Sequence, residues 1–227
     1  MKIVIFAPHP DDEIFGCGGA ILRWVNEKHE VHLIYVTDNR VLITYGMKEN
    51  ELIKEKAKLY MNLNEDEIAK IALNEAKIAS NKFGLPESNT HYFKFYDQGA
   101  MDNIDNGIKL SKTILVNADR IVLPSDNNVH PDHQATHIIA KEAARALNLR
   151  DAEFYVYNIR GILNIPQDKQ IKLNMVDYRS KILEIMRGYK TQLCFKETAL
   201  GMEFLKRRRT ERFGIFNFTD MDKYVNF

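Results

Sequence analysis

The chain has 227 residues, of which 45% are hydrophobic, so it is long enough to bury the core of one α/β domain. Lysine and arginine (32) balance aspartate and glutamate (31), and the net charge of +1 argues against a nucleic-acid or anionic-membrane partner. No apolar run approaches the roughly 18 residues of a membrane span, and a strand that starts just after Met1 leaves no room for a signal peptide. We therefore expect a cytoplasmic protein that forms a single domain over residues 1–227.

Strand-like segments recur along the chain. They are short, apolar and rich in β-branched residues, and the second is nearly continuous in hydrophobicity, as a buried parallel strand is. The predicted strands span residues 2–7, 30–37, 91–96, 120–123, 154–159 and, with a weaker pattern, 171–175.

Helix-like segments alternate with these strands. The longest carries a break near residues 62–64 and stops at Gly84, a usual helix-stop residue, whereas residues 39–48 are predicted to form a loop. The alternation predicts an α/β fold with a doubly wound, mostly parallel sheet and helices on both faces. The predicted helices span residues 13–28, 49–83, 104–117, 177–189 and a segment that begins at 135.

Two short motifs share the tripeptide His-Pro-Asp. Residues 9–13 read His-Pro-Asp-Asp-Glu and residues 130–133 read His-Pro-Asp-His, and each motif follows a predicted strand and precedes a helical pattern. Proline suits the first position of a helix, so both motifs are predicted to be strand-to-helix turns. Open parallel α/β sheets bind ligands at the carboxyl ends of their strands, so the two motifs could meet in one crevice.

Together the two motifs offer the donor set of a catalytic metal site. Such sites usually hold zinc with three nitrogen or oxygen ligands and keep one position open. His9 and Asp12 are three residues apart, so both side chains can point to one side of a first helical turn. His133, or alternatively His130, would complete a set of two histidines and one carboxylate.

The remaining polar residues of the motifs suit proton transfer. Asp11 is rotated away from Asp12 on the helical turn, so its carboxylate could accept a proton from a water that the metal activates. The histidine that is not a ligand could stabilise an oxyanion or protonate a leaving group. Asp132 could orient an imidazole.

The alternative interpretation is that each motif is a helix N-cap whose aspartate complements the helix dipole. One isolated motif would favour that interpretation, but two motifs, each after a strand, favour a metal site. His137 is interpreted as a packing or surface residue and Cys17 as a small packing residue. His29, His32 and His91 have no acidic or histidine neighbours at ligand spacing in the sequence and are interpreted as residues outside any functional site.

Both motifs resemble the signatures of the PIG-L/LmbE-like family of metal-dependent de-N-acetylases. The first signature covers residues 7–19, including the Gly-Cys-Gly-Gly that follows the motif, and the second covers residues 130–136. The resemblance extends over nearly the whole chain and implies a Rossmann-like fold. Three further segments are similar to this family: residues 75–84, 181–192 and 211–213.

The resemblance implies a role for each residue of the metal site. At the matching positions, His9, Asp12 and His133 are the metal ligands and Asp11 is the general base. Members of the family usually use zinc, so the resemblance implies Zn²⁺ or another divalent metal such as Fe²⁺. The reaction it implies is removal of the N-acetyl group from an N-acetylamino sugar or its conjugate, with metal-activated water attacking the amide.

The resemblance also implies three further site residues. His130 would stabilise the oxyanion or act as the acid, Asp132 would support it, and Asp97 would contact a substrate hydroxyl. The chain departs from the family at Ala72, where members often carry a sugar-contacting arginine, and at Asn128, where some carry a tyrosine. The expected partner is a small amino-sugar molecule, with no nucleic acid, and the chain could form a homo-oligomer.

The first rival function is that of an NAD-binding oxidoreductase. Gly16, Gly18 and Gly19, followed by Asp38, imitate a dinucleotide fingerprint. The third fingerprint glycine, however, would stand at Ile21, and the glycines begin too far after the strand.

The second rival function rests on the basic cluster, residues 206–212, which could bind a phosphosugar or nucleic acid. Glu203 and Glu211 interleave with its cations, so a solvated helix face is the favoured interpretation of this cluster.

Overall fold

The structure is a computed structural model that describes residues 1–159 and 163–223. Its strands form one sheet in the order β3-β2-β1-β4-β5-β7-β6. Neighbouring strands from β3 to β5 are parallel, whereas β7 is antiparallel to β5 and β6, so the predicted mostly parallel sheet is confirmed. The strands are β1 (Lys2–Ala7), β2 (Glu30–Thr37), β3 (Thr90–Phe95), β4 (Arg120–Pro124), β5 (Glu153–Tyr157), β6 (Gln170–Asn174) and β7 (Thr210–Asn217).

Helices cover both faces of the sheet, as predicted. Helices α1, α4 and α7 pack on one face, and α5 and α6 pack on the other. None of the helices within residues 1–159 and 163–223 is long and apolar enough to cross a membrane. The helices are α1 (Asp12–Asn26), α2 (Leu42–Lys48), α3 (Lys54–Ala57), α4 (Glu65–Phe83), α5 (Ile104–Leu115), α6 (Pro131–Ala146), α7 (Arg179–Met186) and α8 (Lys196–Arg207).

Strand β1 lies at the centre of the sheet and contributes to both layers of the core. Ile5 faces the layer that contains Trp24 of α1 and Ile182 of α7. Phe6 faces the opposite layer, which contains Ile139 of α6. Successive side chains of a strand point to opposite faces, so a strand that is covered on both faces must be apolar throughout.

The segment of residues 39–48 forms α2, so the predicted loop is wrong. Ile43 of this helix is buried in a small apolar cluster with Leu52 and Cys194. Val41 occupies the N-cap position and carries no polar side chain that could cap the helix. The helix therefore depends on a tertiary contact with distant residues and lacks a local start signal.

The long helix predicted over residues 49–83 is divided into α3 and α4. The break lies where the sequence indicates it, because Asn64 caps α4 through its side chain and Glu67 returns a hydrogen bond to the backbone of Asn64. This reciprocal capping box satisfies two N–H groups that a helix start otherwise leaves without partners.

The C-terminal part contains two elements that the sequence pattern does not predict, α8 and β7. Strand β7 inserts between β5 and the edge strand β6, and it buries Glu211 among its apolar residues. A buried carboxylate and Gly214 interrupt the alternation of apolar and polar residues that identifies a strand.

Candidate active site

The predicted site residues gather at one edge of the sheet, just beyond the carboxyl ends of β1, β3 and β4. The two His-Pro-Asp motifs, more than 100 residues apart in the sequence, meet there, as predicted. Potential ligand atoms lie within 4.8 Å of one another in two groups that share a histidine: His9, Asp12 and His133, and His9, Asp97, His130 and Asp132.

The first group has the composition of a catalytic metal site. His9 Nδ1 lies 3.0 Å, and His133 Nε2 lies 3.3 Å, from the same oxygen of Asp12, Oδ2. All three side chains are buried. Two imidazoles and one carboxylate are a usual donor set for catalytic zinc and for non-haem Fe²⁺.

The electrostatics around His9 also fit a cation. Burial alone would lower the pKa of His9, but hydrogen bonds with Asp12, Asp132 and Asp97 raise it well above the usual histidine range. The pocket thus stabilises positive charge at His9. The same carboxylates would stabilise a divalent cation bound between His9, Asp12 and His133.

Asp132 holds the other ring nitrogen of His9. Its Oδ2 lies 3.0 Å from His9 Nε2 and accepts a 2.7 Å hydrogen bond from the backbone N–H of Gln98, while Oδ1 accepts from the N–H of Ala100. This fully buried carboxylate favours a proton on His9 Nε2, so Nδ1, which lies beside Asp12, is the ring nitrogen that could bind a metal. The resemblance implies that Asp132 supports His130, but the imidazole within hydrogen-bond distance of the Asp132 carboxylate is that of His9.

His130 belongs to the second group of potential ligands and is only partly buried. Its Nδ1 is 4.0 Å from Asp132 Oδ2, too far for a hydrogen bond, and instead accepts the backbone N–H of Asp132 as the N-cap of α6. The N-cap bond favours a proton on Nε2, so a neutral His130 could donate from that atom. The pKa of His130 is lowered to about 4, mainly by burial and to a smaller extent by the charge of the nearby His9. The ring is therefore neutral near pH 7.

Asp97 lies within the second group, directly after β3. Its side chain is buried, and Oδ1 is 3.4 Å from His9 Nε2. Gln98, which follows it, has a positive φ of 70°, and this sharp turn brings the backbone N–H of Gln98 to Asp132. The structure therefore places Asp97 next to His9, where the resemblance implies a substrate contact.

Asp11 has an unusual backbone conformation. Its φ is 109°, in the half of conformational space that residues other than glycine rarely adopt. Its side chain makes no capping hydrogen bond with the described residues of α1, although Asp11 occupies the N-cap position. This geometry disfavours the interpretation of the first motif as a simple helix cap.

Sequence reasoning missed the contacts that three buried residues make with the peptide between Pro10 and Asp11. Asn39 and Gln192 donate side-chain hydrogen bonds to the carbonyl oxygen of Pro10, and Glu13 accepts one from the N–H of Asp11. Gln192 lies in the segment of residues 181–192 that resembles the family. Asn39 follows a predicted strand, but its function depends on a contact that only the fold creates.

The glycines of residues 16–19 are packing residues. A Cβ atom at Gly16 would lie 2.3 Å from the ring of Tyr157, and one at Gly19 would lie 2.7 Å from Met175. The N–H groups of Gly19 and Ala20 donate to the buried carboxylate of Glu211, each at 2.7 Å. These glycines pack against the protein core and do not form an open loop that could bind a phosphate, which contradicts the dinucleotide interpretation.

The basic cluster is partly occupied by contacts within the chain. Arg208 donates to the backbone carbonyls of Phe15 and Thr210, and Lys206 pairs with Glu203. Arg207 is exposed at the end of α8, but the predicted helix face stops there, because Arg208 and Arg209 follow the helix and Arg212 lies on β7.

The other histidines divide into two cases. His137 is buried and lies 2.8 Å from the carbonyl of Pro124, which agrees with a packing role. His32 and His91 lie outside the two groups of potential metal ligands, although their rings approach to 3.1 Å between Nδ1 and Nε2 and His32 also pairs with Glu30. Adjacent parallel strands create this contact, which no spacing in the sequence reveals.

The family model of the GlcNAc-PI de-N-acetylases, PIG-L, matches residues 4–144, which contain both motifs and Asp97. A stretch of 42 residues is 45% identical to a glucosamine-6-phosphate deaminase-like protein of Bacteroides thetaiotaomicron. That stretch is 18% of this chain and 6% of the Bacteroides protein, so the match spans only a small part of that relative.

Two solved structures share the fold over nearly the whole chain. The N,N'-diacetylchitobiose deacetylase of Pyrococcus horikoshii has a TM-score of 0.73 at 18% identity and covers 96% of this chain and 85% of its own. The zinc-inhibited form of a teicoplanin deacetylase has a TM-score of 0.72 at 13% identity and covers 96% of this chain and 98% of its own. At these identities the similarity establishes the fold.

Proposed function

Because the chain belongs to the PIG-L family of de-N-acetylases, we propose that it is a metal-dependent hydrolase that removes the N-acetyl group from an N-acetylamino sugar or its conjugate. The observation that carries this proposal is the convergence of His9, Asp12 and His133, with Asp132 behind His9. The names of the two similar structures, both deacetylases, support the same reaction class.

The metal ligands in this proposal are His9 through Nδ1, Asp12, and His133 through Nε2. Zinc is the proposed metal, and Fe²⁺ suits the same donors. When bound, such an ion supplies a Lewis acid that polarises the amide carbonyl and lowers the pKa of a water molecule. Asp132 would keep His9 in the tautomer that coordination requires.

Asp11 is the proposed general base. It would accept the proton of the attacking water, because its buried side chain belongs to the turn between the proposed ligands His9 and Asp12. His130 would donate from Nε2 to the oxyanion that forms at the amide carbon or to the departing amine. Both roles transfer protons at named atoms of this chain.

Asp97 is the proposed substrate-binding residue. Its buried carboxylate lies at the end of β3 beside His9 and could accept a hydrogen bond from a sugar hydroxyl. A sugar held in this way would present its acetamido group to the adjacent metal site. Ala72 lies in α4 and cannot replace the sugar contact that an arginine makes in other family members.

Metal analysis combined with an amine-release screen tests this proposal. The purified protein is loaded with Zn²⁺ or Fe²⁺ and incubated with a panel of N-acetylglucosamine derivatives, including free, disaccharide, lipid-linked and nucleotide-linked forms. We expect one bound metal per chain and release of a primary amine that stops on chelation and returns with metal. A protein that binds no metal, or that releases no amine in any loaded form, would contradict the proposal.

A matched pair of variants sharpens the test. His133→Ala should lose both the metal and the activity, whereas His29→Ala, a histidine outside the site, should retain both. Equal metal content in the two variants would remove His133 from the ligand set.

A further inference from the structure

The peptide group between Pro10 and Asp11 is held at both of its polar ends. We infer that Asn39, Gln192 and Glu13 form a clamp that fixes this peptide and thereby positions the carboxylate of Asp11. The inference rests on the proposed role of Asp11 as the base. These three are positioning residues, because they act through Asp11 and have no contact with the reacting atoms in this account.

The carbonyl end of the peptide receives two side-chain amides. Asn39 Nδ2 donates to the Pro10 carbonyl at 3.0 Å, and Gln192 Nε2 donates to it at 3.2 Å. Both donors are buried, with exposed fractions of 2% and 5%, so water does not compete strongly for the same oxygen. They come from opposite ends of the chain, one after β2 and one after α7.

The N–H end of the peptide is held by a third side chain. The Asp11 N–H donates to Glu13 Oε2 at 3.0 Å, and Glu13 Oε1 in turn accepts a 2.6 Å hydrogen bond from the hydroxyl of Tyr189. Glu13 is fully buried, so its position is fixed by these bonds and by the core around it.

The clamp explains the backbone of Asp11. A φ of 109° is strained in a residue other than glycine and persists only where the surroundings impose it. Rotation of the Pro10–Asp11 peptide towards an ordinary φ would break the bonds at both ends. The direction of the Asp11 side chain therefore depends on these three residues.

The turn that carries Gln192 is itself held by hydrogen bonds to α4. Glu75 of α4 accepts hydrogen bonds from the backbone N–H groups of Lys190 and Thr191 and from the hydroxyl of Thr191. These bonds fix the turn that presents Gln192 to Pro10. The turn after α7 therefore contributes to the site through Gln192.

A double-mutant cycle tests the clamp through catalysis. Gln192→Leu should lower kcat about tenfold, because small misplacement of a catalytic group has a large effect on rate, while metal content and KM stay near wild type. In the Asp11→Asn background the same substitution should change kcat by less than about twofold, since its effect passes through Asp11. An equal loss in both backgrounds would show a general structural role and overturn the inference.

Two further variants serve as controls. Gln170→Leu removes a similar amide-to-carbonyl bond, from Gln170 Nε2 to Ile165 at 2.8 Å on β6, and should leave kcat unchanged. Glu13→Gln retains an acceptor for the Asp11 N–H and should keep far more activity than Glu13→Leu. If Glu13→Gln were as impaired as Glu13→Leu, Glu13 would act through its charge and the clamp would be wrong.

A crystallographic measurement tests the clamp without any activity assay. In Asn39→Gly/Gln192→Leu, which keeps a residue that tolerates the positive φ at position 39, the Pro10–Asp11 peptide should turn and Asp11 should leave its positive φ. His9, Asp12 and His133 should stay in place. A φ near its wild-type value in the double variant would overturn the clamp. A wild-type enzyme that hydrolyses no amide would instead defeat the proposed function and leave this structural result to decide the clamp.

Discussion

At the scale of single residues, the two ring nitrogens of His9 have different partners. Nδ1 faces Asp12 and Nε2 faces Asp132, so one nitrogen can bind a metal while the other keeps its proton. Two backbone N–H groups, of Gln98 and Ala100, hold the Asp132 carboxylate in place. A carboxylate behind a metal-binding histidine fixes the tautomer and the orientation of the ring, and its removal usually weakens metal binding.

Asp132→Asn should therefore weaken metal binding about 10- to 100-fold, because an amide cannot hold His9 in one tautomer as a carboxylate does. Competition with a metal chelator measures the affinity. Asp105→Asn, an exposed aspartate on α5, serves as the control and should bind like the wild type. Unchanged affinity in Asp132→Asn would mean that His9 is not oriented through Asp132.

Asp97 differs from Asp132 although both lie beside His9. Asp97→Asn should reduce kcat/KM by about 1–3 kcal/mol of lost polar contact with the sugar. Metal content should not change, because Asp97 is outside the proposed ligand set. Steady-state kinetics and metal analysis of the same preparation check both statements, and a loss of metal would reassign Asp97 as a ligand.

At the scale of secondary-structure elements, α1 has a kink, and a residue of the distant strand β7 accepts hydrogen bonds from the backbone N–H groups just after it. Cys17 has a φ of −149° within the helix, and the N–H groups of Gly19 and Ala20 donate to Glu211 of β7. Glu211 thus caps the second half of α1 from the other end of the sequence. The first half of α1 begins at Asp12, so this contact also supports the turn that carries the proposed metal ligands.

Glu211→Gln should destabilise the fold by about 1–3 kcal/mol, because one of two buried N–H groups loses its acceptor and faces an amide N–H₂. Urea unfolding measures the difference. Glu203→Gln, at an exposed position of α8, should lie within about 0.5 kcal/mol of the wild type. A Glu211 variant as stable as the Glu203 variant would show that Glu211 does not cap α1.

His91, on the edge strand β3, makes the stability of the fold depend on pH. The pKa of His91 is lowered from its ordinary 6.5 to about 4, mainly by burial and to a smaller extent by the charge of the nearby His32. The unfolded chain therefore takes up a proton at His91 as pH falls through 6.5, before the folded chain does. Stability from the neutral ring is complete above pH 6.5 and is lost as pH falls towards 4.

His91→Gln should make the unfolding free energy less dependent on pH between those two values, because it removes a group that binds a proton only in the unfolded state. Urea unfolding of both proteins at about pH 7 and about pH 5 measures the two slopes. Equal slopes would contradict the lowered pKa of His91.

At the scale of the whole molecule, the sequence predicts what depends on local pattern. The parallel strands, their helices and the meeting of the two motifs follow from hydrophobic period and from the position of each motif after a strand. The α2 helix, β7 and the His32–His91 contact could not be predicted, because each depends on a neighbour that is distant in sequence. The clamp around Asp11 belongs to the same class, since Gln192 and Pro10 are 182 residues apart.

In the proposed reaction the neighbouring aspartates have separate functions, Asp12 in holding a metal and Asp11 in moving a proton. Metal content and amine release, measured together on Asp11→Asn and Asp12→Ala, test this separation most directly. Asp11→Asn should keep a full complement of metal and lose about 10²- to 10⁴-fold in kcat, whereas Asp12→Ala should lose metal and activity together. Loss of metal from Asp11→Asn but not from Asp12→Ala would reverse the two roles, and full activity in both would contradict the account.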